Sequence, residues 1–103
     1  MLLTRADIER ELASLHGWTY EADRLVRTFT FGGFPEAVAF VGRLVPGAEA
    51  ADHHPDLMIH YRRVTVEWWT HDEGGVTGKD VAGARMTDAA AVVRNPGPSD
   101  CRT

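Results

Sequence analysis

The apolar residues of this chain change their repeat along the sequence, from helical spacing to strict alternation and back, and the order of those changes limits the fold more than any single motif. Thr4 offers an N-cap, Asp7 an acidic first-turn residue, and Ile8, Leu12 and Leu15 a stripe that Gly17 stops, which predicts a first helix over about residues 5–15. Trp18–Tyr20 and Leu25–Phe31 are aromatic and β-branched runs around the polar turn Glu21-Ala22-Asp23-Arg24, with Leu25, Phe29 and Phe31 on one face; they predict a hairpin. From Phe34 the helical repeat returns through Ala37, Val38, Val41, Leu44, Val45 and Ala48. A second helix is therefore expected to about Ala51, with Pro46 and Gly47 as the points where it would kink or end.

Leu57–Tyr61 and Val64–Thr70 alternate again and predict a second hairpin turning at Arg62-Arg63, with Val64, Val66 and Trp68 on one face. After Gly74 and Gly75, Thr77-Gly78-Lys79-Asp80 matches the capping signature [ST]-x-x-[DE] and opens a third helix through about Ala91. Asn95-Pro96-Gly97-Pro98-Ser99 ends regular structure and predicts a flexible tail over residues 95–103. The expected architecture is α+β, in the order αββαββα. It is a single domain over residues 1–94, a four-stranded antiparallel sheet with its helices on one face.

Composition narrows the function classes. A chain of 103 residues holds one core, since two would each be too small. Its net charge is −4, Lys79 is the sole lysine, and no basic run exceeds Arg62-Arg63, which speaks against a nucleic-acid partner. The single cysteine, Cys101, has no intrachain partner, so a reducing compartment is expected. Met1-Leu2-Leu3 runs directly into Arg5, Asp7, Glu9 and Arg10 and does not read as a signal peptide. The longest apolar stretch, Ala37–Val45, is interrupted by Gly42 and Arg43 and falls short of the roughly 20 residues of a membrane span. These features predict a cytoplasmic protein with no membrane partner.

Three of the five histidines are the most informative residues in the chain. His53-His54-Pro55 falls where the second helix gives way to the third strand, and His71 is expected to end the fourth, so adjacent strands would bring all three to one end of the sheet. The spacing Glu49-x3-His53-His54-Pro55-x5-Tyr61-x9-His71-x8-Asp80 resembles the signature of the pterin-4a-carbinolamine dehydratase family. Gly17-Trp18, Phe29-x-Phe31, Phe34, Ala37 and Thr70 are similar in their placement, and the resemblance covers about residues 10–92. The Trp68-Trp69 pair departs from the aliphatic or small residues expected there in the family.

The resemblance implies that a 4a-hydroxytetrahydrobiopterin loses water to give a quinonoid dihydropterin, in the recycling of tetrahydrobiopterin beside an aromatic amino-acid hydroxylase. Such a reaction needs a general acid at the leaving oxygen and a general base at a ring nitrogen. Imidazole suits both roles because its ordinary pKa, about 6.5, lies near working pH. His53, His54 and His71 are then the catalytic residues, and Glu49, Pro55, Thr70 and Asp80 the substrate-binding ones. No metal or redox cofactor is required, because the pterin is the substrate.

Plainer readings accompany these. Asp80 is also the acid of a capping box, Glu49 a solvated helix residue, and His-His-Pro alone a turn. Tyr61 and Trp68 read as core, His60 as a surface strand residue, and His16 as a helix C-terminal residue favoured by the macrodipole. Trp69 either lines the pocket or covers a subunit interface. A three-histidine zinc site is disfavoured because adjacent residues point apart. A non-catalytic dimerisation, coactivator or assembly module of the same fold is the alternative function. The open sheet edges predict a homodimer or homotetramer.

Overall fold

A computed structural model describes residues 1–92. The tail expected over residues 95–103 lies outside them. The elements are α1 (Arg5–Leu12), β1 (Thr19–Glu21), β2 (Arg24–Thr30), α2 (Phe34–Ala51), β3 (Asp56–His60), β4 (Arg63–Trp68), a 3-10 turn (His71–Glu73) and α3 (Gly78–Ala91). The strands form one antiparallel sheet in the order β1-β2-β4-β3. The α+β order αββαββα is thus present, as read from the sequence.

Alternation decides which sheet face is dry. Leu25, Phe29, Val64, Val66 and Trp68 point inward, where they meet Phe40 and Leu44 of α2 and Val81 and Ala84 of α3 in one core. The other face carries Arg24, Thr28, Thr65 and Glu67, paired across strands as Arg24–Glu67 and Thr28–Thr65. The β1–β2 hairpin turns through Ala22 and Asp23, both at positive φ, the mark of a type I′ turn that matches strand twist.

Five expectations need correction. The first helix stops at Leu12 rather than near residue 15, because the chain tightens into short-range turns that still deliver Leu15 to the core. His16 consequently lies beyond the last helical turn, exposed, and outside the reach of the helix dipole. The second hairpin turns at Tyr61-Arg62, one residue early, with Tyr61 at φ 55°. Tyr61 is therefore 69% exposed and not a core residue; the pairing Ile59↔Val64 keeps the alternating valines inward and drives Tyr61 out of the strand. His71 does not end β4, which stops at Trp68, but opens the 3-10 turn.

Pro46 does not end α2, which runs unbroken for 18 residues. A mid-helix proline costs about 3 kcal/mol, and burial of Ala37, Phe40, Leu44 and Ala48 offsets it. Gly47 adds a close helix–helix approach: a Cβ there would stand 3.0 Å from three atoms of Met86 on α3. Among the described residues no helix is long and apolar enough to cross a membrane.

Candidate active site

Helix α2 ends on Asp52 in the left-handed conformation, with Asp52 N–H donating to Glu49 O and His53 N–H to Ala48 O. This is a Schellman-type stop, and aspartate is among the few non-glycine residues that tolerate it. It swings the chain so that His53 turns inward while His54 stays at the surface. On the far side, Thr70 N–H donates to Gly75 O across a short bridge, which closes the loop that presents His71.

Three elements thereby converge on an open basin of about 290 Å³, lined by His53, His54 and His71 together with Asp52, Thr70, Asp72 and Lys79. His53 is nearly buried at 11% exposure, and its Nε2 lies 2.6 Å from Oδ1 of Asp80, which is wholly buried. Asp80 is also held by Thr70 Oγ1 at 2.8 Å and Thr77 N–H at 2.9 Å, both donating to Oδ2. Since the Thr70 proton goes to Asp80, the Thr77 hydroxyl donates to Thr70 Oγ1 at 2.8 Å. One carboxylate thus caps α3 and anchors the His53 ring, so the capping and site readings of Asp80 describe the same atom set.

With Nε2 held, Nδ1 is the nitrogen of His53 without a side-chain partner among the described residues. His54 Nε2 meets Glu49 Oε2 at 2.7 Å, but both groups are largely exposed, and such pairs contribute about 0–1 kcal/mol. His71 makes no side-chain hydrogen bond among the described residues; its ring stacks on Trp69 with centroids 3.9 Å apart. On the inner face Trp68 stacks on His53 at 5.4 Å.

Of the residues singled out from the sequence, His53, His54, His71 and Thr70 line the basin, and Asp80 lies directly behind it. Pro55 does not join them. It turns with His54 and Glu49 toward an adjoining apolar cleft against Val41, Leu44 and Val45 of α2. Asp52, Asp72 and Lys79 were missed; each neighbours a recognised residue in sequence, and Lys79 is the chain's one lysine, inside the capping box. Among the described residues no three His, Cys, Asp or Glu side chains are grouped as a metal ion would need.

The model of the family described as "Pterin 4 alpha carbinolamine dehydratase" matches residues 1–90. A protein of Thermosynechococcus vestitus named "Putative pterin-4-alpha-carbinolamine dehydratase" is 54% identical over 91 residues, covering 88% of this chain and 96% of that one. A crystal structure of a transcriptional coactivator/pterin dehydratase from Brucella melitensis superposes with a TM-score of 0.85 at 35% identity, covering 88% of this chain and 99% of that one. A pterin dehydratase-like protein identified as a RuBisCO assembly factor in the α-carboxysome shares the fold, with a TM-score of 0.60 at 20% identity over 75% of this chain and 89% of its own. The match spans both hairpins, all three helices and every histidine of the basin, and the chain belongs to the pterin 4 alpha carbinolamine dehydratase family.

Proposed function

We propose that the chain dehydrates a 4a-hydroxytetrahydropterin, of which 4a-hydroxytetrahydrobiopterin is the named candidate, by histidine acid–base catalysis. The observation that carries this reading is the His53–Asp80 pair at the edge of a basin shared with His54 and His71. A buried carboxylate behind an imidazole fixes the ring's orientation, as orienting acids do for catalytic bases elsewhere. His53 is accordingly assigned the base that takes the ring-nitrogen proton of the substrate. His71, with both ring nitrogens uncommitted, is assigned the acid that protonates the 4a-hydroxyl as the C4a–O bond breaks and water leaves. His54, steered by Glu49, and Lys79 flank the pterin. The proton lost and the proton gained balance, so the step calls for neither metal nor redox cofactor. Such an enzyme would work in the cytoplasm beside a pterin-dependent aromatic amino-acid hydroxylase.

The test is a carbinolamine dehydration assay of the wild type beside His54→Ala and His71→Ala. Loss of a positioned acid or base is expected to lower the rate by about 10²–10⁴ for His71→Ala and by less for the exposed His54→Ala. Equal rates in all three proteins would remove the mechanism. A wild type that leaves the uncatalysed rate unchanged would favour the alternative, a non-catalytic dimerisation, coactivator or assembly module.

Self-association accompanies either function. Phe34, Val38 and Val45 form an outward stripe on α2, exposed by 52%, 43% and 54%, and β3 is an uncovered sheet edge bearing Met58 and Ile59. A homodimer or homotetramer is expected by light scattering, with Val45→Glu shifting the mass toward monomer. A monomeric wild type would refute this.

A further inference from the structure

We infer that Trp69 is a positioning residue for His71, holding the imidazole by its ring face and leaving both nitrogens free. The inference rests on the dehydratase reading and deepens it. Each of the other two histidines in the basin is steered by a carboxylate that occupies one ring nitrogen: Asp80 for His53 and Glu49 for His54. His71 has no such partner among the described residues. It is exposed and stands at the start of a three-residue 3-10 turn. A ring placed there without support would spread over several rotamers, and freezing it at each turnover would cost entropy.

The indole of Trp69 supplies that support, with centroids 3.9 Å apart and planes inclined by 25°. The indole is itself held. Its Nε1–H donates to Asp56 Oδ2 at 2.9 Å, and the Arg24 guanidinium lies over the ring at 4.8 Å while donating to Glu67 Oε1 at 2.6 Å. The anchor residues thus come from β2, β3 and β4, three strands hydrogen-bonded to one another, whereas His71 stands in a three-residue turn. Stacking also leaves one nitrogen of His71 free to face the substrate and the other free to be reprotonated from solvent. The adjacent Trp68 acts on the opposite face of the strand, where it stacks on His53. Consecutive strand residues point to opposite faces, so two tandem tryptophans can back two histidines that approach the basin from different sides.

The experiment joins proton NMR of the His71 ring with dehydration kinetics for wild type, Trp69→Leu, Trp69→Phe and Asp56→Asn. Protons held over an aromatic face are shielded by its ring current. The His71 ring protons should therefore resonate upfield in the wild type, return toward ordinary imidazole positions in Trp69→Leu, and stay largely shielded in Trp69→Phe. For Trp69→Leu, kcat should fall by roughly 10-fold to 100-fold, the scale of a small misplacement of a catalytic group, with KM changing by less than about 3-fold. Trp69→Phe should restore most of kcat, which a purely structural role of the indole would not require. Asp56→Asn keeps an acceptor for Nε1 and should resemble the wild type in both readouts; it also guards against mistaking a change of surface charge for a loss of stacking. His71 resonances unmoved by Trp69→Leu would overturn the inference, as would full kcat in that variant. If Trp69→Leu fails to fold, Trp69→Phe decides instead: His71 ring protons at ordinary imidazole positions together with full kcat in that variant would overturn it. A wild type lacking dehydratase activity would sink the functional reading, and the NMR comparison would then decide the stacking by itself.

Discussion

Asp80→Asn is expected to leave a folded protein with dehydratase activity lowered by about 10²–10⁴, because the residue that steers His53 loses its charge while keeping its size. Thr70 Oγ1 and Thr77 N–H both donate to Oδ2, so the amide oxygen keeps those contacts and the NH₂ group faces His53 Nε2, which must then accept rather than donate. Asp80→Ala should be worse for stability, by about 3–5 kcal/mol, since it strips a wholly buried group from every partner at once. Thermal unfolding with parallel activity measurements separates the two functions of this side chain. Thr77→Ala provides the comparison: it removes the cap hydroxyl alone and should cost about 0.5–2 kcal/mol. Its activity should stay close to wild type. An Asp80→Asn protein as active as wild type would reduce Asp80 to a helix cap.

The second large effect concerns Trp68, the largest wholly buried side chain among the described residues. Trp68→Ala is expected to destabilise the protein by about 3–5 kcal/mol, through lost burial and the cavity left behind. Its Nε1–H donates to Thr87 Oγ1 at 2.9 Å, and Thr87 in turn donates to Gly83 O at 2.7 Å. Gly83 is the complement that admits so large a ring: a Cβ there would stand 2.6–2.7 Å from three atoms of the Trp68 indole. Gly83→Ala should thus cost about 1–3 kcal/mol by overpacking, despite the better helix propensity of alanine. Paired with Trp68→Leu the same change should cost less than the sum of the two, with a coupling of about 0.5–3 kcal/mol in a double-mutant cycle. Additive effects would mean that α3 moves away without resistance. At about 4–8 °C per kcal/mol for a domain of this size, melting curves resolve each case.

The Gly83–Trp68 complement explains how so large a ring fits between β4 and α3. Nothing in the sequence joins the two positions. Glycine inside a helix reads as a weakness of about 1 kcal/mol, and only the packing of α3 across β4 turns it into a requirement. The same distinction holds for other elements. Thr77-Gly78-Lys79-Asp80 announced the start of α3 because a capping box is satisfied within four residues. Tyr61 is not legible in the same way, because its place depends on the register of β3 against β4, and an apolar ring one position past the last paired residue looks the same in sequence as one inside.

The sequence by itself determined the order of elements, the dry face of the sheet, and the histidines and acid that belong to one family signature, because periodicity, capping and spacing are all local. Tertiary structure alone decided which partners those residues take. His53 meets an acid 27 positions away, His71 rests on an indole rather than a carboxylate, and Pro55 turns to a different cleft. Those outcomes depend on strand register and on helix packing across the sheet, where a shift of one residue exchanges inside for outside. The site is legible in sequence as a set of residue types, and only in the fold as a division of roles among them.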